Sequence, residues 1–139
     1  MITALDTNVL LDILTGDEPF QESSIRAVEQ AASRGSLVIC HLVYAELSLA
    51  FLSQKELDSF LDENSIDVQS LNRSALFQAG LAWKAYRRHG GPRARVLADF
   101  LIGAHADVQC SQLLSRDRGF YRKYFSSLPV LDPSSSKQR

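Results

Sequence analysis

Apolar residues along this chain alternate between short continuous runs and longer stripes with helical spacing. Short runs of this length and composition predict buried strands at residues 2–6, 37–40, 66–68, 113–114 and 129–131. The segments between them place apolar residues three or four positions apart, which is the spacing of one helix face. Helices are therefore predicted over residues 7–15, 17–34, 41–52, 54–61, 74–88, 96–106 and 120–124.

Local capping residues support these boundaries. Gly16 and Gly35 end the first two predicted helices, and Ser53 with Glu56 forms a capping box at the start of the fourth. Strands that alternate with helices predict a parallel α/β sheet, whose ligands gather beyond the carboxyl ends of the strands. The length of 139 residues, 45% of them hydrophobic, matches one domain. We expect that domain over residues 1–133, followed by a disordered polar tail at 134–139.

Composition adds a location and a charge asymmetry. The chain shows no export signal and no apolar run of membrane-spanning length, so a cytoplasmic protein is expected. Cys40 and Cys110 stand apart without a CxxC pair, and we expect both to be reduced, buried thiols. Residues 1–68 hold 12 acids and 3 bases, whereas residues 69–139 hold 4 acids and 12 bases. This asymmetry fits an anionic ligand or an oppositely charged partner, as well as two solvated faces.

Four acidic residues stand out because their surroundings are apolar or because they follow a strand. Asp6 follows the first strand, and Asp117 follows the fourth. Glu46 and Asp99 are each the only formal charge within a predicted apolar helix. Because ligands of parallel sheets collect at the carboxyl edge, we expect all four side chains to converge there.

A cluster of like charges needs a compensating cation. Two carboxylates about 4 Å apart repel by roughly 1 kcal/mol in water and by roughly 4 kcal/mol at a protein-surface dielectric. Oxygen ligands without a Cys or His set suit Mg²⁺ or Mn²⁺. Each acid also has an ordinary explanation, since Asp6 can cap a helix, Asp117 can pair with a neighbouring arginine, and Glu46 or Asp99 can reach solvent.

Four segments in this order resemble PIN-domain ribonucleases, especially the VapC toxins. They are ITALDTNVLLD at 2–12, Glu46 in its helix, ADFLIGAHA at 98–106 and LSRDRGF at 114–120. The resemblance covers residues 1–133. It implies a three-layer α/β/α fold with a central parallel sheet of about five strands, and cleavage of RNA that depends on Mg²⁺ or Mn²⁺.

The same resemblance implies partners. A VapC-like protein is expected to form a homodimer and to bind a small antitoxin encoded alongside, whose tail covers the acidic cleft. Apolar side chains that exceed the needs of one core would also favour a dimer, and the candidates are Phe51, Phe60 and Trp83.

Site residues follow from the same comparison. Four acids match the catalytic and metal-binding residues of the family: Asp6, Glu46, Asp99 and Asp117. Asn8 and Ser115 match polar residues often found beside these acids, and we expect them to orient the ligands. Many relatives carry a further acid shortly after the fourth, but this chain has Arg118 and Gly119 there.

Basic and aromatic residues near the predicted site are candidates for RNA contacts. The basic candidates are Arg87, Arg88, Arg93, Arg116 and Arg118. Phe120 and Tyr121 can stack on a base, although packing inside an amphipathic turn also explains them. His41, His89 and His105 lack evident catalytic partners, and we expect them to be structural or exposed.

Three other functions compete with the nuclease. A haloacid-dehalogenase-like phosphatase would use Asp6 for phosphoryl transfer, but it requires Asp-x-Asp and this chain has Asn8 at the third position. A receiver-like domain would also use Asp6, but it requires an adjacent acidic pair and a late lysine that are missing here. A PIN-like module that binds RNA or protein without cutting is the non-enzymatic alternative, and the complete set of acids argues against it.

Overall fold

Five parallel strands form one sheet in the computed structural model, which describes residues 1–16, 19–90 and 97–134. The strands are β1 (Ile2–Leu5), β2 (Ser36–Cys40), β3 (Ile66–Gln69), β4 (Gln112–Leu114) and β5 (Val130–Leu131). Their order across the sheet is β3-β2-β1-β4-β5, so β1 lies at the centre. Ala4 of β1 is in register with Val38 on one side and Leu113 on the other. The predicted parallel sheet of about five strands is confirmed.

Helices pack against both faces of this sheet and complete a three-layer α/β/α fold. They are α1 (Thr7–Thr15), α2 (Gln21–Arg34), α3 (His41–Leu47), α4 (Gln54–Glu63), α5 (Arg73–Arg88), α6 (Leu97–Gln109) and α7 (Arg118–Tyr124). The strands read as continuous apolar runs because helices cover the sheet on both sides. Ile39 and Leu113 are completely buried in the shared core.

Two helix boundaries differ by four or more residues from the predicted ones. The second helix begins at Gln21, and residues 17 and 18 of its predicted start lie outside the described residues. The third helix was predicted to reach residue 52 but ends at Leu47, where a short 3-10 turn takes over. The Ser48 hydroxyl donates to the Ala45 carbonyl at 2.6 Å, and the backbone is extended by Phe51. Leu52, 94% exposed, consequently points into solvent instead of packing in a helix.

Capping at the end of α1 and at the start of α4 agrees with the sequence. Gly16 has a positive φ of 68°, and its backbone N–H donates to the Asp12 carbonyl, which closes α1. The Ser53 hydroxyl accepts a hydrogen bond from the Glu56 backbone N–H at the start of α4. These contacts confirm the first helix end and the capping residue of the fourth.

The apolar residues suggested as surplus for a dimer are mostly used within the core. Phe51 and Phe60 pack together with ring centroids 5.6 Å apart, and both contact the core, as does Trp83. Large apolar side chains that do remain exposed include Phe77 (71%) and Leu81 (53%) on α5. Phe77 and Leu81, and not the residues that the sequence suggested, are therefore the candidates for an apolar contact with another copy of the chain.

Both cysteines are free thiols, as expected, with Cys40 buried and Cys110 partly buried. Burial raises the pKa of Cys110 to about 12, so this thiol stays protonated at neutral pH. Across residues 1–16, 19–90 and 97–134, no helix combines the length and the apolar character needed to cross a membrane.

Candidate active site

Asp6 stands at the carboxyl end of the central strand and at the N-cap of α1. Its Oδ1 accepts a hydrogen bond from the Thr7 backbone N–H at 2.7 Å, and its Oδ2 accepts one from the Ser115 hydroxyl at 2.7 Å. The side chain is only 6% exposed. Burial raises the pKa of the Asp6 carboxyl, although the hydrogen bonds from Ser115 and Thr7 act in the opposite direction. The structure thus holds a carboxylate where its charge is costly.

Asn8 and Ser115 contact Asp6 from two different elements. The Asn8 side-chain nitrogen lies 3.5 Å from Asp6 Oδ2 and 3.4 Å from the Ser115 hydroxyl oxygen. Ser115 is completely buried, and its oxygen also accepts the backbone N–H of Asp117 at 2.9 Å. Such contacts are what an orienting role requires, and that role was predicted for both residues.

Glu46 reaches the same place from α3, which begins directly after β2. Its Oε1 accepts a hydrogen bond from the Thr7 hydroxyl at 2.5 Å, and its negative charge contributes to the raised pKa of Asp6. The Glu46 side chain is exposed, whereas Val43 and Leu47 of the same helix are buried, so Glu46 reaches solvent as its alternative explanation required. Thr7 was not among the predicted site residues, and its position next to Asp6 was the only sequence indication that it bridges Asp6 and Glu46.

Asp99 and Asp117 approach the site around a buried tyrosine. Asp99 lies in the first turn of α6, and Asp117 is the N-cap residue of α7. Tyr121 is 1% exposed. Burial raises its pKa well above 10, and the charges of Asp6, Asp99 and Asp117 and a hydrogen bond to Asp6 raise it further. Tyr121 was a candidate for base stacking, but its burial among the acids makes it part of the site's interior.

Arg116, a candidate for RNA contact, has its guanidinium bound within the protein. Its Nε and Nη2 donate to the two carboxylate oxygens of Asp12 at 2.8 and 3.0 Å. The guanidinium carbon also lies 4.1 Å from the ring centroid of Phe20. Arg116, one of the two neighbouring arginines that were alternative partners for Asp117, forms an ion pair with Asp12.

The other basic candidates differ in their surroundings. Arg87 lies over the ring of Trp83 at 5.4 Å, and Arg88 is exposed at the end of α5. Arg118, the first residue of α7, is partly buried. Arg93 lies outside the described residues. RNA contact by these residues stays a prediction.

The acids differ from a closed metal cage. Within the part of the chain that the structure describes, no three His, Cys, Asp or Glu side chains are grouped closely enough to hold a metal ion. Mg²⁺ usually keeps several waters and is held by only one or two carboxylates, so a closed cage is not required. The buried Asp6 carboxylate with the Glu46 charge nearby supplies hard oxygen donors. These residues fit a partly hydrated divalent cation.

The histidines are structural or exposed, as expected. His105 is buried, and its Nε2 lies 2.9 Å from the Gln69 side-chain oxygen. Burial, with the nearby His41 charge, lowers the pKa of His105 to about 4, so it is neutral at physiological pH. His41 Nε2 lies 3.1 Å from the Ser70 hydroxyl oxygen, and His89 is exposed at the end of α5.

Comparison with known proteins identifies the fold. The PIN domain model matches residues 3–126. The chain belongs to the PIN-domain family. Membership in this family removes the haloacid-dehalogenase-like and receiver-like alternatives for Asp6, whereas a PIN-like module without activity remains. No curated protein sequence matches this PIN domain significantly.

Several solved structures share the fold of this PIN domain. A chain of VapBC2 from Rickettsia felis, bound to a promoter DNA fragment, has a TM-score of 0.73 and 20% identity, covering 95% of this chain and 98% of that one. VapBC-1 from nontypeable Haemophilus influenzae has a TM-score of 0.74 and 20% identity, with 97% and 100% covered. A toxin-antitoxin complex from Klebsiella pneumoniae has a TM-score of 0.67 and 19% identity, with 96% and 98% covered. At this identity, the similarity shows a common fold.

Proposed function

We propose that this PIN domain is a divalent-metal-dependent endoribonuclease and the toxin of a toxin–antitoxin pair. The observation that carries the proposal is the buried Asp6 carboxylate at the end of the central strand. Glu46 of α3 contributes to the raised pKa of Asp6. Asp99 of α6 and Asp117 of the β4–α7 loop contribute, together with Asp6, to the raised pKa of Tyr121. A set of acids gathered from four elements, in a family of nucleases, supports phosphodiester chemistry.

The roles of the residues follow from their positions. The candidate ligands of Mg²⁺ or Mn²⁺ are Asp6, Glu46, Asp99 and Asp117, of which one or two would bind the ion directly and the others through its waters. When bound, such a cation activates water for attack and offsets negative charge on the phosphate. Ser115 and Asn8 keep the Asp6 carboxylate in one orientation through their hydrogen bonds.

RNA is the proposed substrate because cationic residues flank the acids and the carboxyl-terminal half is basic. Arg87 and Arg88 at the end of α5 and Arg118 at the start of α7 are the described candidates for phosphate contacts. Tyr86, next to Arg87, packs against Phe100 with ring centroids 5.3 Å apart. The end of α5 therefore lies beside the first turn of α6, which carries Asp99.

An antitoxin and a second copy of the chain are the proposed protein partners. The similar structures from Rickettsia felis, Haemophilus influenzae and Klebsiella pneumoniae are toxin–antitoxin assemblies. We propose an antitoxin whose tail covers the acidic cleft. Homodimer formation has support from exposed apolar residues such as Phe77 and Leu81.

The nuclease proposal is tested with purified protein and end-labelled RNA, in Mn²⁺ and in EDTA. We expect cleavage by wild type in Mn²⁺, none in EDTA, and none by Asp6→Asn in either condition. Asp62→Asn makes the same chemical change at an exposed position of α4 and is the matched control, so it should cut like wild type. Mn²⁺-independent cleavage, or full activity of Asp6→Asn, would contradict the proposal. RNA binding without cleavage would favour the non-enzymatic module.

The toxin assignment has its own test. Expression of wild type should arrest growth, expression of Asp6→Asn should not, and co-purification should recover a small protein encoded by the adjacent reading frame. If no such protein is encoded or recovered, the toxin assignment fails while the nuclease assignment stands.

A further inference from the structure

An ion pair between the buried Asp12 and the partly buried Arg116 joins α1 to the loop between β4 and α7. Asp12 of α1 is only 2% exposed, and both of its carboxylate oxygens accept hydrogen bonds from the Arg116 guanidinium. The Ser24 hydroxyl of α2 donates to the same carboxylate at 3.0 Å. The Phe20 ring lies against the guanidinium at 4.1 Å. Asp12 of α1 and Phe20, the N-cap residue of α2, thus hold the Arg116 guanidinium in position and direction.

The backbone at this ion pair also contacts the candidate active site. The Arg116 backbone N–H donates to the side-chain oxygen of Asn8 at 3.1 Å. On one side of Arg116, the Ser115 hydroxyl donates to Asp6. On the other side, the Asp117 backbone N–H donates to the Ser115 oxygen. Three consecutive residues, 115–117, therefore connect the ion pair to two of the four acids.

We propose that Asp12 and Arg116 are positioning residues, whose ion pair fixes the 115–117 loop against α1 so that Ser115 orients Asp6 and Asp117 stays beside it. This inference rests on the proposed nuclease function. It assigns Arg116 a different role from the RNA contact that the sequence suggested. The guanidinium acts through the loop it fixes, and Asp12 acts through the guanidinium.

The energetics of buried charges favour a geometric role over a stabilising one. Removing the Asp12 charge and part of the Arg116 charge from water offsets much of their attraction, so this ion pair is weak evidence for stability. A bidentate arginine–carboxylate pair does specify direction, because two parallel hydrogen bonds hold two planar groups. Replacement of both partners with apolar residues should therefore preserve the fold and lose the orientation.

The test compares variants that separate stability from geometry. Arg116→Lys keeps the charge but loses the second hydrogen bond, and the double variant Asp12→Leu with Arg116→Met removes both charges together. Leu61→Ala is the control for general destabilisation, because Leu61 is a buried residue of α4, which packs beside the edge strand β3. Thermal melts establish the stability of each protein. Amide hydrogen exchange at positions 116 and 117 then reports the loop without depending on any reaction.

We expect exchange at positions 116 and 117 to accelerate about tenfold or more in both ion-pair variants and to be unchanged in Leu61→Ala. In Mn²⁺, kcat for RNA should fall about 10- to 100-fold, the usual effect of removing an outer partner of a ligand. KM should change by less than about twofold. The double variant should show this loss while melting near the wild-type temperature.

Three results would overturn the inference. Unchanged exchange at positions 116 and 117 in the double variant would show that the ion pair does not hold the loop. A raised KM with wild-type kcat in Arg116→Lys would identify an RNA contact instead. An equal loss of kcat in Leu61→Ala would show that the loss follows from lower stability and not from the position of the loop. If wild type cuts no RNA, the proposed function fails, and the exchange measurements alone decide whether the ion pair positions the loop.

Discussion

Replacing Asp6 with Asn removes one buried charge while keeping the size and shape of the side chain. Burial raises the pKa of the folded Asp6 above 3.8, so the unfolded chain ionises first as pH increases. The fold tolerates the protonated carboxyl better than the charged one, so wild type has its full stability below pH 3.8 and loses part of it as pH rises through the pKa of the folded state. Asp6→Asn has no such loss. Without metal, its stability relative to wild type should therefore increase from pH 4 towards neutrality.

Hydrogen bonds change the stability of Asp6→Asn by a nearly constant amount, but they do not change the direction of its trend with pH. The asparagine oxygen can still accept from the Thr7 backbone N–H, and the Ser115 hydroxyl can rotate to accept from the new amide. The Asn8 amide nitrogen would then lie beside the amide nitrogen of the new side chain, and two donors cannot bond to each other. Loss of the Asn8 hydrogen bond costs about 0.5–1.5 kcal/mol. That cost is nearly independent of pH. At neutral pH, Asp6→Asn should melt at or above the wild-type temperature unless the lost contact outweighs the relieved charge.

Metal binding should make wild type melt at a higher temperature than Asp6→Asn. A cation at about 100 times its Kd stabilises the native state by about 2.7 kcal/mol. Unfolding entropies of about 2.1 cal/mol/K per residue, over 139 residues, convert this into a rise in Tm of about 9 °C for wild type. Asp6→Asn should gain clearly less, because it lacks a ligand.

Differential scanning calorimetry in EDTA and in Mn²⁺, at several pH values, measures both effects. Asp62→Asn, on the exposed face of α4, should follow wild type in every condition. If Asp6→Asn is destabilised by the same amount at every pH and Mn²⁺ leaves the wild-type melt unchanged, the acids are structural and the metal site does not exist.

Four further results are expected. Cleaved RNA should carry 5′-phosphate and 3′-hydroxyl ends, and a 2′,3′-cyclic phosphate seen by mass spectrometry would rule out attack by activated water. Gly103→Ala should lower the free energy of unfolding by about 1–3 kcal/mol in urea melts, because the new Cβ would overlap the Phe125 ring, and an unchanged midpoint would contradict this packing. His105→Gln should lose less stability than wild type between pH 6.5 and 4, because folding lowers the histidine pKa to about 4 and acid favours the unfolded chain, so parallel pH curves would refute the shift. Light scattering at micromolar concentration should show a dimer that Phe77→Glu converts towards monomer, and an unchanged mass would exclude the α5 face from the contact.

Most of the fold was predictable because each element carries its own pattern. The five strands are short apolar runs between helices, and parallel connection then determines which ends carry ligands. This reasoning placed Asp6 and Asp117 together although they are far apart in sequence. The family resemblance, and not spacing, suggested that Ser115 and Asn8 lie beside the acids.

Contacts between distant side chains were beyond this reasoning. Asp12 and Arg116 are 104 positions apart, and no local pattern distinguishes this aspartate and arginine from the others on the chain. The early end of α3 was not predictable either, because a serine–carbonyl hydrogen bond and the following extended residue decide it. Tyr121 occupies the site because α7 turns its ring inward, and an amphipathic pattern cannot say which buried ring meets a carboxylate.

The central position of β1 has a consequence for synthesis of the protein. Its neighbour β2 leaves the ribosome about thirty residues later, whereas β4 and the loop that contacts Asp6 emerge only when most of the chain has been made. Until then, Asp6 lacks Ser115, and Asp117 does not exist. If the protein cuts RNA, a chain interrupted at about 110 residues should therefore be inactive, because it lacks Ser115 and Asp117.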